Sequence, residues 1–201
     1  MKRTTLHSLV TGAVLAVIGA VLVDAGAHVG NQLVHLGEMG LAVGAVLGLV
    51  PHRPAGWRAA AFAVGFADAW LGYALRAGAL PDIPMGRALA TFIVLIVLTA
   101  VVTISGARLP LWAGLLGIAA FAGGYEAQFT ASPTTFLTDS LTAATTIAFA
   151  VAVGFLVTEI TTAVVGRERA AEGAEAAPPT EAPEHVRPLT STTSSEGALA
   201  R

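Results

Sequence analysis

Six apolar runs, at about 6–27, 33–50, 57–75, 87–105, 109–125 and 141–165, constrain this chain more than any single residue does. Each is close to the ~20 residues that a helix rising ~1.5 Å per residue needs to cross ~30 Å of hydrocarbon. The composition agrees, with 55% hydrophobic and only 12% charged residues and a mean hydropathy of +0.73, against about 25% charged in an ordinary soluble domain. The expected fold is all-α: a polytopic membrane helical bundle of six transmembrane helices in three hairpins, covering residues 1–166, with the lipid bilayer as its main partner.

The connections set the expected topology. Lys2, Arg3, Arg53, Arg58, Arg108, Arg167 and Arg169 fall on one side of the bundle and only Arg76 and Arg87 on the other. The positive-inside rule then places both termini in the cytoplasm of a multi-pass protein of the plasma membrane. The opposite, external face carries Asp24, Glu38, Asp82, Glu126 and Asp139. The inner turns, Pro51-His52-Arg53-Pro54 and Ser105-Gly106-Ala107-Arg108, are short and made of turn residues, which pairs the segments as hairpins. Asp24, Arg76 and Glu126 stand at comparable places near the outer end of each hairpin's first helix, as a threefold repeat would have them. A basic start, an apolar run and Ala25-Gly26-Ala27 also fit a secretory signal peptide; the second apolar run that follows at once favours a retained helix. Residues 167–201, rich in Ala, Glu, Pro, Thr and Ser, are expected to form a disordered cytoplasmic tail.

Several function classes drop out. The chain has no cysteine, which removes disulfides, thiolate metal sites and covalent haem attachment. Its net charge is −2 and it has no basic cluster, so nucleic acid is not an expected partner. Lys2 is the only lysine and lies outside the apolar runs, so no buried Schiff base can form. No nucleophile elbow or phosphate loop is present, which disfavours a soluble-type hydrolase or kinase and leaves open an enzyme acting within the membrane through a bound metal; a non-enzyme is the leading expectation.

Small residues mark the expected helix contacts. Gly40, Gly44 and Gly48 recur every four residues on the second helix, and Gly12, Gly19 and Gly26 every seven on the first. Such stripes let backbones approach where lipid offers no hydrophobic drive. The fourth segment, with Phe92-Ile93-Val94-Leu95-Ile96-Val97-Leu98, lacks one and is expected to face lipid.

The densest polar stretch is residues 23–38. On one continuous helix Asp24, His28, Asn31, His35 and Glu38 would fall within about 80° of each other. A helix over residues 6–50 would be about 67 Å long, so a break is expected at Gly26 to Gln32. Folding back brings Asp24/His28 toward His35/Glu38. Two imidazoles with one or two carboxylates suit copper, zinc or iron, and the four residues are the candidate metal ligands. Solvated residues at a helix turn are the competing reading. The Asp-x-x-x-His…His arrangement of Asp24, His28 and His35 resembles the copper-ligating helix of the C subunit of particulate methane and ammonia monooxygenases, which implies copper. The second histidine comes earlier than in that family, and no activity is carried over. His7 and His52, near the other ends of these helices, complete the two pairs a dihaem cytochrome b needs, but adjacent packed helices leave little room for a macrocycle.

Asp68 is the clearest intramembrane charge, and the cost of a carboxylate at mid-bilayer, ~2.5–3.5 kcal/mol, directs it to the bundle interior. It is the candidate proton or ion relay, with a protonated structural aspartate as the alternative. Glu159 is read as snorkelling or pairing with Arg167, and the threonines of the sixth segment as bonding back to their own helix. The expected function is therefore an integral membrane protein that binds or passes a divalent transition-metal ion. The alternatives are a proton-coupled small-solute transporter using Asp68, and a non-catalytic membrane subunit or scaffold docking to a membrane-protein partner or to a second copy.

Overall fold

The computed structural model describes residues 3–27, 31–81 and 83–176. The protein is all-α, with no strand among the described residues: α1 (Arg3–Ala27), α2 (Asn31–Leu49), α3 (Ala55–Gly78), α4 (Pro84–Ile104), α5 (Leu111–Ala131), a 3₁₀ turn (Pro133–Thr135) and α6 (Phe136–Ala176). Proline punctuates the second half of this order. Pro54 and Pro110 precede α3 and α5, Pro84 opens α4, and Pro133 opens the 3₁₀ turn leading to α6. A proline's fixed φ and missing N–H suit a helix start and no other part of a helix. After α4 the chain reverses through Gly106 and Ala107, both at positive φ (65° and 55°).

Successive helices run in opposite directions, so one end of the bundle holds the α2–α3 and α4–α5 turns and the other the α1–α2, α3–α4 and α5–α6 connections. We call these the near and far ends. α3 lies at the centre, packed on α5 and α4. Gly65 of α3 meets the Gly114 backbone of α5, and a Cβ on Gly117 would collide with the Phe62 carbonyl. Aromatic rings fill the space beyond these contacts: Phe66, Tyr73, Phe121, Tyr125, Phe129 and Phe136 meet largely edge to face, with centroids 5.2–6.3 Å apart. Trp70 of α3 donates to Ser140 Oγ of α6 at 3.1 Å.

The two glycine stripes behave differently. Gly40, Gly44 and Gly48 lie against the α6 backbone and side chains from Ile147 to Thr158, where added Cβ atoms would clash, and Gly154 of α6 returns the contact at Leu41 and Ala45. On α1, a Cβ at Gly12 would meet nothing within 4 Å, and one at Gly19 only Leu41 Cδ2 at 3.6 Å. The stripe on α2 is a close helix contact; the one on α1 is not.

A few polar side chains are buried in an otherwise apolar core, and many large apolar ones face outward. Thr11, Arg58, Asp68, Ser140 and Thr158 are buried, while Met85, Leu89, Phe92, Ile96 and Ile104 of α4 and Leu137, Leu141, Phe149, Leu156 and Ile160 of α6 are exposed. Among the described residues two helices are long and apolar enough to cross a membrane, Pro84–Ile104 and Pro133–Val164, with mean hydropathies of 2.4 and 2.0. Shorter apolar stretches occupy Leu9–Val21 and Val34–Leu49. The six-span expectation is therefore met in part. α3 and α5 fall short because their inward faces carry Arg58, Asp68, Tyr73, Arg76 and Glu126 among glycines and alanines, which dilutes their hydropathy. α6 continues as helix to Ala176, past the point where a disordered tail was expected to begin; residues 177–201 lie outside the described residues.

Candidate functional site

In the polar stretch of the first hairpin, α1 is described to Ala27 and α2 from Asn31, and the expected break falls on residues 28–30, outside the described residues. Asp24 is exposed. One turn into α2, His35 Nδ1 and Glu38 Oε2 stand 3.8 Å apart as an i,i+3 pair, with side chains 80% and 48% exposed. His28 lies outside the described residues. Of the four candidate ligands, the described structure brings together only His35 and Glu38, and among the described residues no three His, Cys, Asp or Glu side chains gather as a metal site would need.

A second polar cluster at the far end is built from distant parts of the chain. Arg76, in the last turn of α3, holds Glu126 of α5 with both arms: Nη1 to Oε2 at 2.7 Å and Nη2 to Oε1 at 3.2 Å. Two-armed Arg–carboxylate pairs are among the stronger charge-assisted contacts. The Tyr73 hydroxyl, one turn earlier on α3, also donates to Glu126 Oε2. The guanidinium lies over the rings of Tyr73 and Phe129, 4.9 and 4.6 Å from their centroids, which suits its flat, weakly hydrated cation. Its side chain is only 10% exposed, while that of Glu126 is 42% exposed.

Beside this cluster lies a cavity of about 380 Å³ between α3, α4 and α5. Its polar edge is Tyr73, Arg76, Arg87, Thr91 and Glu126; its depth is Ala69, Gly72, Ala90, Val94 and Ile118. Arg87, from the first turns of α4, brings a second positive charge to bear on Glu126. Gly72 lets α4 pack close: a Cβ there would come within 2.5 Å of Val94 Cγ2.

Asp68 sits one turn from Gly72 toward the middle of α3, 7% exposed and facing the Leu98 main chain of α4. Its Oδ2 is fully buried and has no hydrogen-bond partner. Such an oxygen costs about 1–3 kcal/mol, more if charged.

The near end holds a third cluster. Arg58, 4% exposed at the start of α3, donates through Nη1 to the Leu47 and Gly48 carbonyls at 2.6 and 2.9 Å, and through Nη2 to Glu159 Oε1 of α6 at 2.5 Å. The carbonyls at the end of α2 have no partner within their own helix, and a cation there also meets the negative end of the helix dipole. Glu159 is thus tied to Arg58, not to Arg167 as its sequence neighbourhood suggested. Thr142, Thr145, Thr146, Thr158 and Thr161 bond back to carbonyls of α6 as expected.

Sequence reasoning placed Arg76 and Glu126 in external connections and Arg58 in a cytoplasmic one. Tyr73 and Arg76, one helical turn apart, were a local signal for a polar face on α3. The alignment of the three hairpins set Arg76 level with Glu126, and those two do meet, while Asp24 stays exposed. Comparison with known protein families, with characterised proteins and with solved structures finds no match.

Proposed function

We propose that this protein is a six-span membrane bundle with both termini in the cytoplasm, acting as a proton-coupled transporter of a small solute through Asp68. Two helices long and apolar enough to cross a membrane, α4 and α6, support membrane residence. Buried Arg58 and Asp68, together with large apolar side chains exposed on α1, α3 and α5 (Leu9, Val17, Val21, Trp57, Leu71 and Leu111), support the same environment for the helices of lower hydropathy. The observation that carries the transport reading is the buried, unpartnered Oδ2 of Asp68, one turn below the α3–α4–α5 cavity. A carboxyl in that position can take a proton when the cavity is occupied and release it when the cavity empties.

The test is transport by purified protein in liposomes carrying an internal pH-sensitive dye, with a panel of small acids, amines and neutral solutes outside. Wild-type protein should move protons with at least one solute class, and Asp68→Asn should remain folded yet lose that movement. If Asp68→Asn transports as the wild type does, Asp68 is a structural group and the transporter reading fails. The absence of cysteine makes the topology separately testable, since a single cysteine at Thr193 should be labelled from the cytoplasmic side only.

A further inference from the structure

We propose that the cavity between α3, α4 and α5 binds a compact, uncharged apolar molecule taken from the bilayer. The assignment deepens the transporter reading, on which it rests only for calling this molecule the cargo. Three features of the cavity converge on that chemistry.

The first is the lining. Ala69, Gly72, Ala90, Val94, Ile118 and Ala122 wall the cavity below its polar edge, and none of them carries a side-chain donor or acceptor. A polar or charged solute at this depth gives up its water and receives no side-chain hydrogen bond in return. An apolar one loses nothing and gains contact with walls that otherwise face empty space.

The second is the state of the polar edge. Its groups are engaged with the protein itself: Glu126 receives both arms of Arg76 and the Tyr73 hydroxyl, and Thr91 donates to the Arg87 carbonyl at 3.0 Å. Arg76 also lies over the Tyr73 and Phe129 rings, and neither Arg76 nor Arg87 is without a partner. The edge holds helices together, and the ligand is held by the apolar walls below it.

The third is size and access. An apolar cavity of ~150 Å³ takes a benzene, so about 380 Å³ takes a ring or cage of roughly twice that size. Alanine and glycine have no rotamers to lose and Val94 and Ile118 have few, so most of the wall is fixed in shape. A flexible lipid tail would surrender its own rotamers to fit such a space, whereas a rigid molecule would not. Thr91 and Leu95 of the α4 wall are exposed, so the cavity opens along a flank of α4, a helix long and apolar enough to cross a membrane. In a bilayer that flank meets lipid, and a lipid-soluble molecule enters there without passing the charged edge.

The experiment places the full chain in lipid nanodiscs with a light-activated diazirine of adamantane, a rigid hydrocarbon cage, and maps the labelled residues by mass spectrometry. Ile118 and Ala122 should be labelled about tenfold more than the lipid-facing Phe92 and Phe149, and excess adamantane should remove that difference. Adamantane carboxylate and adamantylammonium, the same cage with a charge of either sign, should compete about tenfold less well. Ala122→Leu fills the cavity and should abolish the labelling of Ile118 while leaving that of Phe92 and Phe149, which shows the bundle intact; the competition arms need no variant. Cavity labelling no denser than on the lipid faces means that lipid tails occupy the space, and it overturns the proposal, as does better competition by either charged cage. Asp68→Asn should keep the labelling pattern and lose proton movement. Loss of cavity labelling with proton movement intact removes the ligand class alone, and labelling without proton movement in any solute removes the transporter reading alone.

Discussion

At the far end of the bundle, α1 and α2 carry Asp24, His35 and Glu38, while α3 and α5 carry Tyr73, Arg76 and Glu126. The first group is close in sequence and exposed; the second spans more than fifty residues of chain and is knit into one hydrogen-bonded unit with a nine-tenths-buried guanidinium. The helix contacts beneath them differ in the same direction. α3 and α5 touch backbone to backbone at Gly65 and Gly114, whereas on α1 Gly12 meets nothing within 4 Å and Gly19 only the tip of the Leu41 side chain. Close backbone approach brings side chains from different helices within bonding reach and shields them from water. A loosely packed hairpin does neither, so its polar residues stay solvated singly.

That contrast can be broken from its buried side first. Arg58→Ala should be the most damaging change, because it leaves Glu159 and the Leu47 and Gly48 carbonyls without their donor; removing one partner of a buried pair costs about 3–5 kcal/mol. Loss of thermal stability in detergent measures it, and a shift of under a degree would show that the near-end cluster is ornamental. Glu126→Ala should cost somewhat less, roughly 2–3 kcal/mol, because the carboxylate is half exposed and water can approach Arg76 from its side. Glu126→Gln, which keeps one acceptor oxygen for Arg76 Nη1 and Tyr73, should recover part of that loss.

A pair of glycine substitutions sharpens the packing half of the comparison. Gly44→Val drives side-chain atoms into the Val151 backbone and should cost ~1–3 kcal/mol or more, since a helix backbone cannot repack around them. Gly12→Val enters open space and should be neutral or better by the ~1 kcal/mol that glycine costs within a helix. Similar melting temperatures for the two variants would mean the stripes are equivalent after all.

The smallest effect belongs to the exposed cluster. His35→Ala and Glu38→Ala should each stay within about 0.5 kcal/mol of wild type, as surface changes outside a network do. Adding zinc or copper during the same melts tests the metal reading of Asp24, His28, His35 and Glu38. A metal-dependent rise in wild type that vanishes in His35→Ala would turn this loose hairpin into a built site and reverse the comparison.

The sequence by itself determined the helical class, the placement of the helices and the turn positions. Continuous apolar runs, prolines at helix starts and the length limit that separates α1 from α2 are all local facts, and each acts without reference to a partner helix. It also placed Gly40, Gly44 and Gly48 on one face, though an equally regular stripe on α1 shows that spacing alone does not say whether another backbone arrives. Which charges are buried and with whom was decided by tertiary structure alone. Arg58 finds Glu159 across 101 residues and Arg76 finds Glu126 across 50, and no periodicity within one helix encodes such a meeting. The physical reason is that a charge in an apolar bundle lowers its cost by reaching an opposite charge on whichever helix lies within a few ångströms, and that helix is chosen by packing.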